Sequence, residues 1–235
     1  MMERSKKYLD KKKLVEQGKY YSIGAALELV KKTARAKFDE SVDLAMKLGA
    51  DPKKHSVRGT VLLPAGSGKS KKVAVVAKAD KLKEAEAAGA DIFGDDDLLE
   101  KIKNGFLGFD VLIVTPDMMG AVGKLGKVLG PKGLMPNPKS GTVTNDISKV
   151  VGEFKRGKTE FKMDKTSVLH MVLGRVSFAS ADLEKNFLAA LSAIMPTKPS
   201  GLKVNFVDSI TLSTSMGPAI KLDVKQVTDV IEKGK

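Results

Sequence analysis

The spacing of hydrophobic residues changes twice along this chain of 235 residues, and the change limits the folds open to it. Near the N-terminus Val42, Leu44 and Met46 alternate with polar or small residues, which is typical of a strand with one buried face. In the middle, 73–77 and 111–114 are continuous apolar runs, as in parallel strands covered on both faces. After residue 159 the alternation returns, so the pattern predicts an α/β segment between two segments that match each other.

Caps, glycines and prolines divide the chain further into elements. Helices are predicted at 6–17, 22–34, 80–88, 95–104, 146–155 and 180–195, and another begins at Thr115. Strands are predicted at 38–48, 57–64, 73–77, 91–93, 110–114, 159–164, 168–176, 203–213 and 218–224. Right-handed crossovers then make the middle a small parallel sheet with helices on its faces.

We therefore expect two domains, with a fold class of α/β and α+β. Residues 1–68 and 159–235 form an outer α+β domain, and 69–158 form an inserted, Rossmann-like, three-layer α/β domain with hinges at Gly68 and Gly157. The outer segments hold 25 basic and 16 acidic residues, net +9, and the insert holds 16 and 12, net +4. The main contact with an anionic partner is therefore expected on the outer domain.

Residues 130–144 hold three prolines and three glycines, so neither a helix nor a central strand can run through them. The leucine, methionine and valine among them indicate a packed loop rather than a flexible linker. Residues 118–145 contain no acidic residue, and their basic residues are Lys124, Lys127, Lys132 and Lys139. Such a surface of one sign suits a polyanion.

The composition points to folded RNA. The net charge of +13 favours a nucleic acid or an anionic surface as the partner. Aromatic residues make up only 5% of the chain and offer few platforms for stacking single-stranded bases. With two histidines and no cysteine, little is available for a zinc site or a Ser-His-Asp triad, and we expect no cofactor. The apolar runs are too short to span a bilayer and the first 19 residues are charged throughout, so we expect a cytoplasmic protein without a membrane anchor.

Two motifs suggest other functions. Residues 66–70 read Gly-Ser-Gly-Lys-Ser, but a phosphate loop also needs a glycine where Leu63 stands and a helix where a strand is predicted. We interpret the motif as a flexible hinge. The three acids at 95–97 are better explained as helix capping than as a metal site.

Two stretches of the outer domain suit an RNA minor groove, namely Lys-Phe-Asp-Glu at 37–40 and Ser-Thr-Ser-Met-Gly-Pro at 213–218. They offer hydroxyls, a glycine that permits close backbone approach, and the apolar pair Phe38 and Met216. Their acids can accept hydrogen bonds from 2′-hydroxyls or guanine amines. The alternative is that Phe38 and Met216 belong to the core and the turn is ordinary, and composition does not separate the two.

These stretches, with Val-Arg-Gly-Thr at 57–60, the loop 130–139 and Asp-Lys-Thr at 164–166, resemble the bacterial ribosomal protein L1 family of the mobile stalk. The match runs in order through nearly the whole chain. The resemblance implies a two-domain protein that binds large-subunit rRNA through its outer domain and helps deacylated tRNA leave the exit site. In many bacteria such a protein also represses its own operon by binding the mRNA.

Carried across by motif, the expected rRNA contacts are Glu28, Lys37, Phe38, Asp164, Lys165, Thr166, Ser215, Met216 and Gly217. Ser215 departs from the family, which commonly has threonine there, so a hydroxyl is kept and a methyl is lost.

Any contact of the loop lysines is expected with tRNA or the assembled ribosome. We expect no enzymatic activity and a monomer when the protein is free of the ribosome. An enzyme that uses the insert and a general DNA-binding protein remain open alternatives.

Overall fold

The chain divides into two compact units in a computed structural model that describes residues 5–16, 18–199 and 205–233. Met1–Gly68 and Thr159–Lys235 form one of them, the outer unit, and Lys69–Lys158 form the other, the insert. No helix within these described ranges is both long enough and apolar enough for a transmembrane span.

The elements follow one another in three groups. Before the insert come α1 (Lys6–Lys12), α2 (Ile23–Thr33), β1 (Ser41–Leu48) and β2 (Arg58–Leu62). The next group is β3 (Val73–Val76), α3 (Ala79–Ala87), β4 (Ile92–Gly94), α4 (Asp96–Lys103), β5 (Val111–Val114), α5 (Met119–Gly123), α6 (Gly126–Leu129) and α7 (Ile147–Arg156). The last is β6 (Lys158–Lys162), β7 (Val168–Arg175), α8 (Ser180–Ile194), β8 (Val207–Thr214), β9 (Ile220–Leu222) and α9 (Val224–Lys233). Short 3₁₀ turns occupy Pro116–Met118, Pro138–Ser140 and Met195–Thr197.

The main sheet of the outer unit has the order β7-β1-β8-β9 and is antiparallel throughout. Along β1 the residues Val42, Leu44 and Met46 are fully buried, as their alternation predicts, and they pack with α2 and α8 into one core. Strands β2 and β6 form a separate two-stranded sheet. The other face of the main sheet is half-exposed, because the residues between the buried ones are polar or small.

The insert has a parallel sheet with the order β4-β3-β5. All four residues of β3 are fully buried, because helices cover both faces of the strand. Helices α3 and α7 pack on one face, and α4, α5 and α6 pack on the other. One unit with a parallel three-layer arrangement and another with an antiparallel α+β arrangement confirm the predicted fold class.

Several element limits differ from those predicted. Helix α1 ends at Lys12, five positions before the predicted end at residue 17, which lies outside the described residues. Strand β1 begins at Ser41 rather than at residue 38. The strand predicted at 203–213 is Val207–Thr214, and its first two predicted residues lie outside the described ranges. Helix α9 was not predicted, although the Asp223 carboxylate accepts the Lys225 N–H at 2.9 Å, a recognisable helix start.

Glycine is required at both proposed hinges. Gly68 has φ 72° and Gly157 has φ 112°, a left-handed conformation that other residues rarely adopt. A Cβ atom at Gly68 would also lie 2.5 Å from Cγ of Arg175. The role of these two glycines as hinges stays a prediction.

Candidate nucleic-acid interface

A buried carboxylate joins the two stretches that suit a minor groove. Glu40 is 1% exposed, and its Oε1 accepts the backbone N–H groups of Arg35 at 2.7 Å and Ala36 at 2.6 Å. Its Oε2 accepts the N–H of Met216 at 3.1 Å. The segment before β1 is thereby fixed against the turn after β8, although 176 positions separate Glu40 from Met216 in sequence.

A second pair of bonds fastens the same two segments. The Ser41 N–H donates to Oγ of Ser215 at 3.1 Å, and the Ser215 N–H donates to the Ser41 carbonyl at 3.1 Å. Ser215 therefore uses its hydroxyl within the protein as well as offering it at the surface. The one departure from the family motif keeps this bond, because serine supplies the same oxygen as threonine.

Glu40 is charged at neutral pH. Burial by itself raises the pKa of this carboxyl, but the Thr214 side chain and the N–H groups of Ala36, Arg35 and Met216 outweigh burial and lower the pKa below its ordinary value. Of the acids in the two stretches, Glu40 is not available to a 2′-hydroxyl, because its carboxylate is buried and organises the backbone instead.

Two large apolar side chains project from this joined region. Phe38 is 57% exposed and Met216 is 48% exposed, so neither belongs to the core. Lys37 beside them is also exposed. A cleft of about 300 Å³ lies along the turn, lined by Ser5, Tyr8, Arg35, Ser215, Met216 and Gly217.

Gly217 is needed for packing inside the turn. Its φ lies outside the left-handed range. A Cβ atom added there would lie 2.3 Å from Oγ1 of Thr214, whose side chain faces the Glu40 carboxylate. A larger residue at 217 would therefore disturb the turn even in the absence of RNA.

The Asp-Lys-Thr turn is held by its own aspartate. Oδ1 of Asp164 accepts the N–H groups of Thr166 and Val168, both at 2.8 Å, and the Thr166 hydroxyl donates to Oδ2 at 2.7 Å. These bonds, that of the Thr166 hydroxyl first, lower the pKa of Asp164. Asp164 thus shapes the turn, while Lys165 and Thr166 are exposed to a partner.

This second turn lies at the opposite end of the main sheet. Val42 pairs with Thr214 and Lys47 pairs with Val168, so the two ends are five residues apart along β1. At about 3.4 Å per residue the separation is roughly 17 Å. The half-exposed face between them presents small and polar residues, including Asp43, Ala45, Thr211 and Ser213. Burial raises the pKa of Asp43, and the charges of Arg175 and His170 oppose this rise.

Glu28 is placed differently. It lies on the exposed face of α2, where its carboxylate is 3.6 Å from Nζ of Lys32. Among the described contacts, none joins Glu28 to either turn. The structure therefore brings together Lys37, Phe38 and 215–217, and leaves Glu28 and 164–166 apart from them.

The proline-rich loop of the insert is ordered by its own side chains. Thr142 Oγ1 accepts the Asn137 N–H at 2.8 Å, and the Asn137 side chain accepts the Lys139 N–H at 2.9 Å. Leu134 and Met135 pack against the α4–α6 side of the insert. All four lysines predicted to contact a polyanion are exposed: Lys124, Lys127, Lys132 and Lys139.

The motifs that suggested other functions have structural explanations. The 66–70 segment leads into strand β3, so no helix N-terminus follows it to receive a phosphate. Asp95, Asp96 and Asp97 lie at the start of α4, where their charge complements the helix dipole. Within the described ranges, no group of three or more His, Cys, Asp or Glu side chains is arranged to hold a metal ion.

Residues 30–218 match the model of the Ribosomal protein L1p/L10e family. The chain belongs to this family. This L1 family member is therefore a structural protein of the large ribosomal subunit that binds rRNA, associated with ribosomes in the cytoplasm. The matched span includes the proline-rich loop and every predicted rRNA contact except Glu28, and it begins after α1.

Sequence reasoning missed Arg35 and did not predict the structural role of Glu40. Neither residue follows a hydrophobic period, and their roles depend on the Met216 backbone, which approaches them only in the folded chain. The useful signal was the pairing of two short motifs from distant parts of the sequence.

Proposed function

We propose that this L1 family member binds rRNA through its outer unit, along a surface that begins at Lys37, Phe38 and 215–217. This surface continues across the half-exposed face of the main sheet and reaches Lys165 and Thr166. The observation that carries the proposal is the pair of exposed apolar side chains, Phe38 and Met216, on a backbone fixed by the buried Glu40.

The surface offers the three kinds of contact that structured RNA accepts. Phe38 and Met216 offer apolar contact with sugars and base edges, and the serine and threonine hydroxyls of β8 suit 2′-hydroxyls. Lys37, Lys47 and Lys165 are exposed and suit phosphates. Because hydrogen bonds already fix both turns, little conformational entropy is lost when RNA binds.

The placement is tested with Phe38→Ala and Met216→Ala. Each should weaken binding to a large-subunit rRNA fragment by about 1–3 kcal/mol, the usual value of one specific contact. Both side chains are exposed, so the melting temperature should hardly change. Affinity is measured by filter binding beside thermal melting.

Lys132→Gln and Lys139→Gln are the controls, because they remove charge from the insert and should leave binding to isolated rRNA nearly unchanged. Normal binding by the two outer-unit variants, combined with weakened binding by the loop variants, would place the site on the insert instead. A salt series with duplex DNA as competitor separates specific binding from general attraction. Equal affinity for both nucleic acids across that series would support a general DNA-binding protein.

We further propose that the insert loop contacts deacylated tRNA in the exit site and assists its release. The absence of acidic residues from 118–145 and the exposure of its four lysines support this role.

An mRNA element that imitates the rRNA would occupy the outer-unit surface, and we propose operon repression by that route. In this proposal the free protein acts as a monomer and not as an enzyme. Operon mRNA and rRNA should then compete for the protein, and Met216→Ala should weaken the binding of both RNAs equally. That result would support a shared site.

A further inference from the structure

Helix α1 carries a concentrated positive charge at the edge of the proposed site. Its residues and the one after it include Lys6, Lys7, Lys11, Lys12 and Lys13, with Asp10 as the one acid. No residue of α1 is buried. The helix also precedes the span matched by the family, so family membership assigns it no role.

Burial of side chains does not stabilise α1, because none of its residues is buried. A helix of seven residues is marginal by itself, and Lys7 and Lys11, four positions apart, repel each other on its surface. An anionic partner would reduce that repulsion, whereas a purely structural helix would be more stable with mixed charges.

Arg35 fastens α1 to the turn that contains Met216. Its Nε donates to the Met216 carbonyl at 2.8 Å, its Nη1 donates to Oγ of Ser5 at 2.8 Å, and its guanidinium lies 5.6 Å from the centre of the Tyr8 ring. Nζ of Lys11 also donates to the Lys32 carbonyl at 2.8 Å. These contacts hold the basic helix beside the exposed apolar pair.

A second cleft, which also has Tyr8 in its lining, extends the charged surface. Its lining includes Lys12 and Lys19, and Lys221 from β9. Lys19 is paired with Glu16 at 2.9 Å, so Lys12 and Lys221 are the lysines of this cleft that we assign to a partner. The positive surface thus continues from the turn, past α1, to the edge of the main sheet.

We propose that α1 is a second arm of the RNA interface and contacts the phosphate backbone of the same rRNA beside the segment held by Phe38 and Met216. This inference rests on the proposed function, since α1 lies beside that site. The arm adds affinity without sequence preference, because lysine on a helix surface meets phosphates rather than base edges.

The test removes charge from α1 and compares an equal removal elsewhere. One variant carries Lys6→Gln, Lys7→Gln and Lys12→Gln, and its control carries Lys185→Gln, Lys198→Gln and Lys225→Gln. All six lysines are exposed. In the control set Lys185 lies on α8, Lys198 follows α8 and Lys225 lies on α9. These helices cover the core face of the main sheet, away from the half-exposed face proposed to bind RNA. Both variants lower the net charge equally.

Binding of the full chain to the rRNA fragment is measured over a salt series. The slope of log K against log salt changes by about 0.9 per phosphate contact, so the three substitutions of the α1 variant should remove up to about 2.7 units of slope. Its affinity at moderate salt should fall on the order of tenfold, and the control should keep its slope. Circular dichroism and melting confirm that both variants fold.

Equal slopes in the two variants would overturn the inference, and so would tighter binding by the α1 variant, which would mean that α1 obstructs the site. Met216→Ala, measured in parallel, separates the two proposals. If Met216→Ala weakens binding while the α1 variant matches its control, the site stands and the arm fails. If Met216→Ala binds normally, the site itself has been misplaced, and the arm falls with it.

Discussion

At the scale of single residues, Glu40 shows how a motif can mark a site without touching its partner. The acid belongs to the Lys-Phe-Asp-Glu motif, and the sequence made it a candidate for a 2′-hydroxyl contact. In the fold its carboxylate accepts three backbone N–H groups from two segments. Phe38, two positions earlier, is exposed, so the motif combines one residue that we propose contacts the partner with one that fixes the backbone.

We expect Glu40→Gln to lower the free energy of unfolding at neutral pH by about 1–3 kcal/mol, because charge-assisted bonds are lost and an amide donor faces backbone donors. The folded-state pKa of Glu40 is below its ordinary value of 4.5, so its stabilisation is complete above that value and is lost as pH falls through the folded-state pKa. The difference between the two proteins should therefore shrink with acidification. Urea unfolding over a pH series measures it.

Glu160→Gln is the matched control, since Glu160 is exposed on β6 and should change stability little. A difference between wild type and Glu40→Gln that stays constant from neutral to acid pH would contradict the assignment. It would mean that side-chain shape, and not the charge, holds the two segments together.

At the scale of elements, the spacing of hydrophobic residues predicted which face of a helix or strand is buried. Ile147, Val150, Val151 and Phe154 of α7 are buried as their spacing indicates. The late start of β1 at Ser41 was not predictable this way, because the Glu40 carboxylate bonds Arg35 and Ala36 and keeps that segment out of the ladder. Local hydrogen bonds of this kind leave no period in a sequence.

One polar residue of α8 connects three elements. Asn186 is fully buried; its Oδ1 accepts the Ala65 N–H at 2.9 Å, and its Nδ2 donates to the carbonyls of Gly66 at 2.9 Å and Leu173 at 2.7 Å. The amide therefore ties the segment after β2 to both α8 and β7.

Asn186→Ala should lower the free energy of unfolding by at least about 2 kcal/mol, because three backbone groups lose their partner. Chemical denaturation measures the loss. Ser192→Ala, at an exposed position of the same helix, should stay within about 0.5 kcal/mol. Similar, small effects of the two changes would show that water replaces the amide without cost.

At the scale of the whole molecule, the two units have separate cores and should fold separately. A chain that joins 1–68 directly to 159–235 should keep most of the rRNA affinity, because the proposed site lies wholly within it. The insert 69–158 alone should fold and bind rRNA weakly. Circular dichroism, melting and filter binding of each piece test this division.

Two results would count against it. One is a joined chain that folds and yet loses rRNA binding, and the other is an insert that alone binds as tightly as the full chain. Either result would place the site on the insert. The sequence predicted the motif residues but not their neighbours. Phe38 and Met216 lie on segments joined by Glu40, and only the folded sheet brings residues so distant in sequence together.

The position of β1 between β7 and β8 also fixes an order of events during synthesis. Chains are made from the N-terminus, and β7 begins at Val168, 120 positions after β1 ends at Leu48. The insert is synthesised before β7 and β8, the two strands that pair with β1. It can therefore fold while β1 is still unpaired. The RNA-binding surface is assembled later, when the turn after β8 emerges and Met216 meets Glu40. If the site lies where we propose, a newly made chain should therefore bind rRNA only after the turn after β8 has been synthesised.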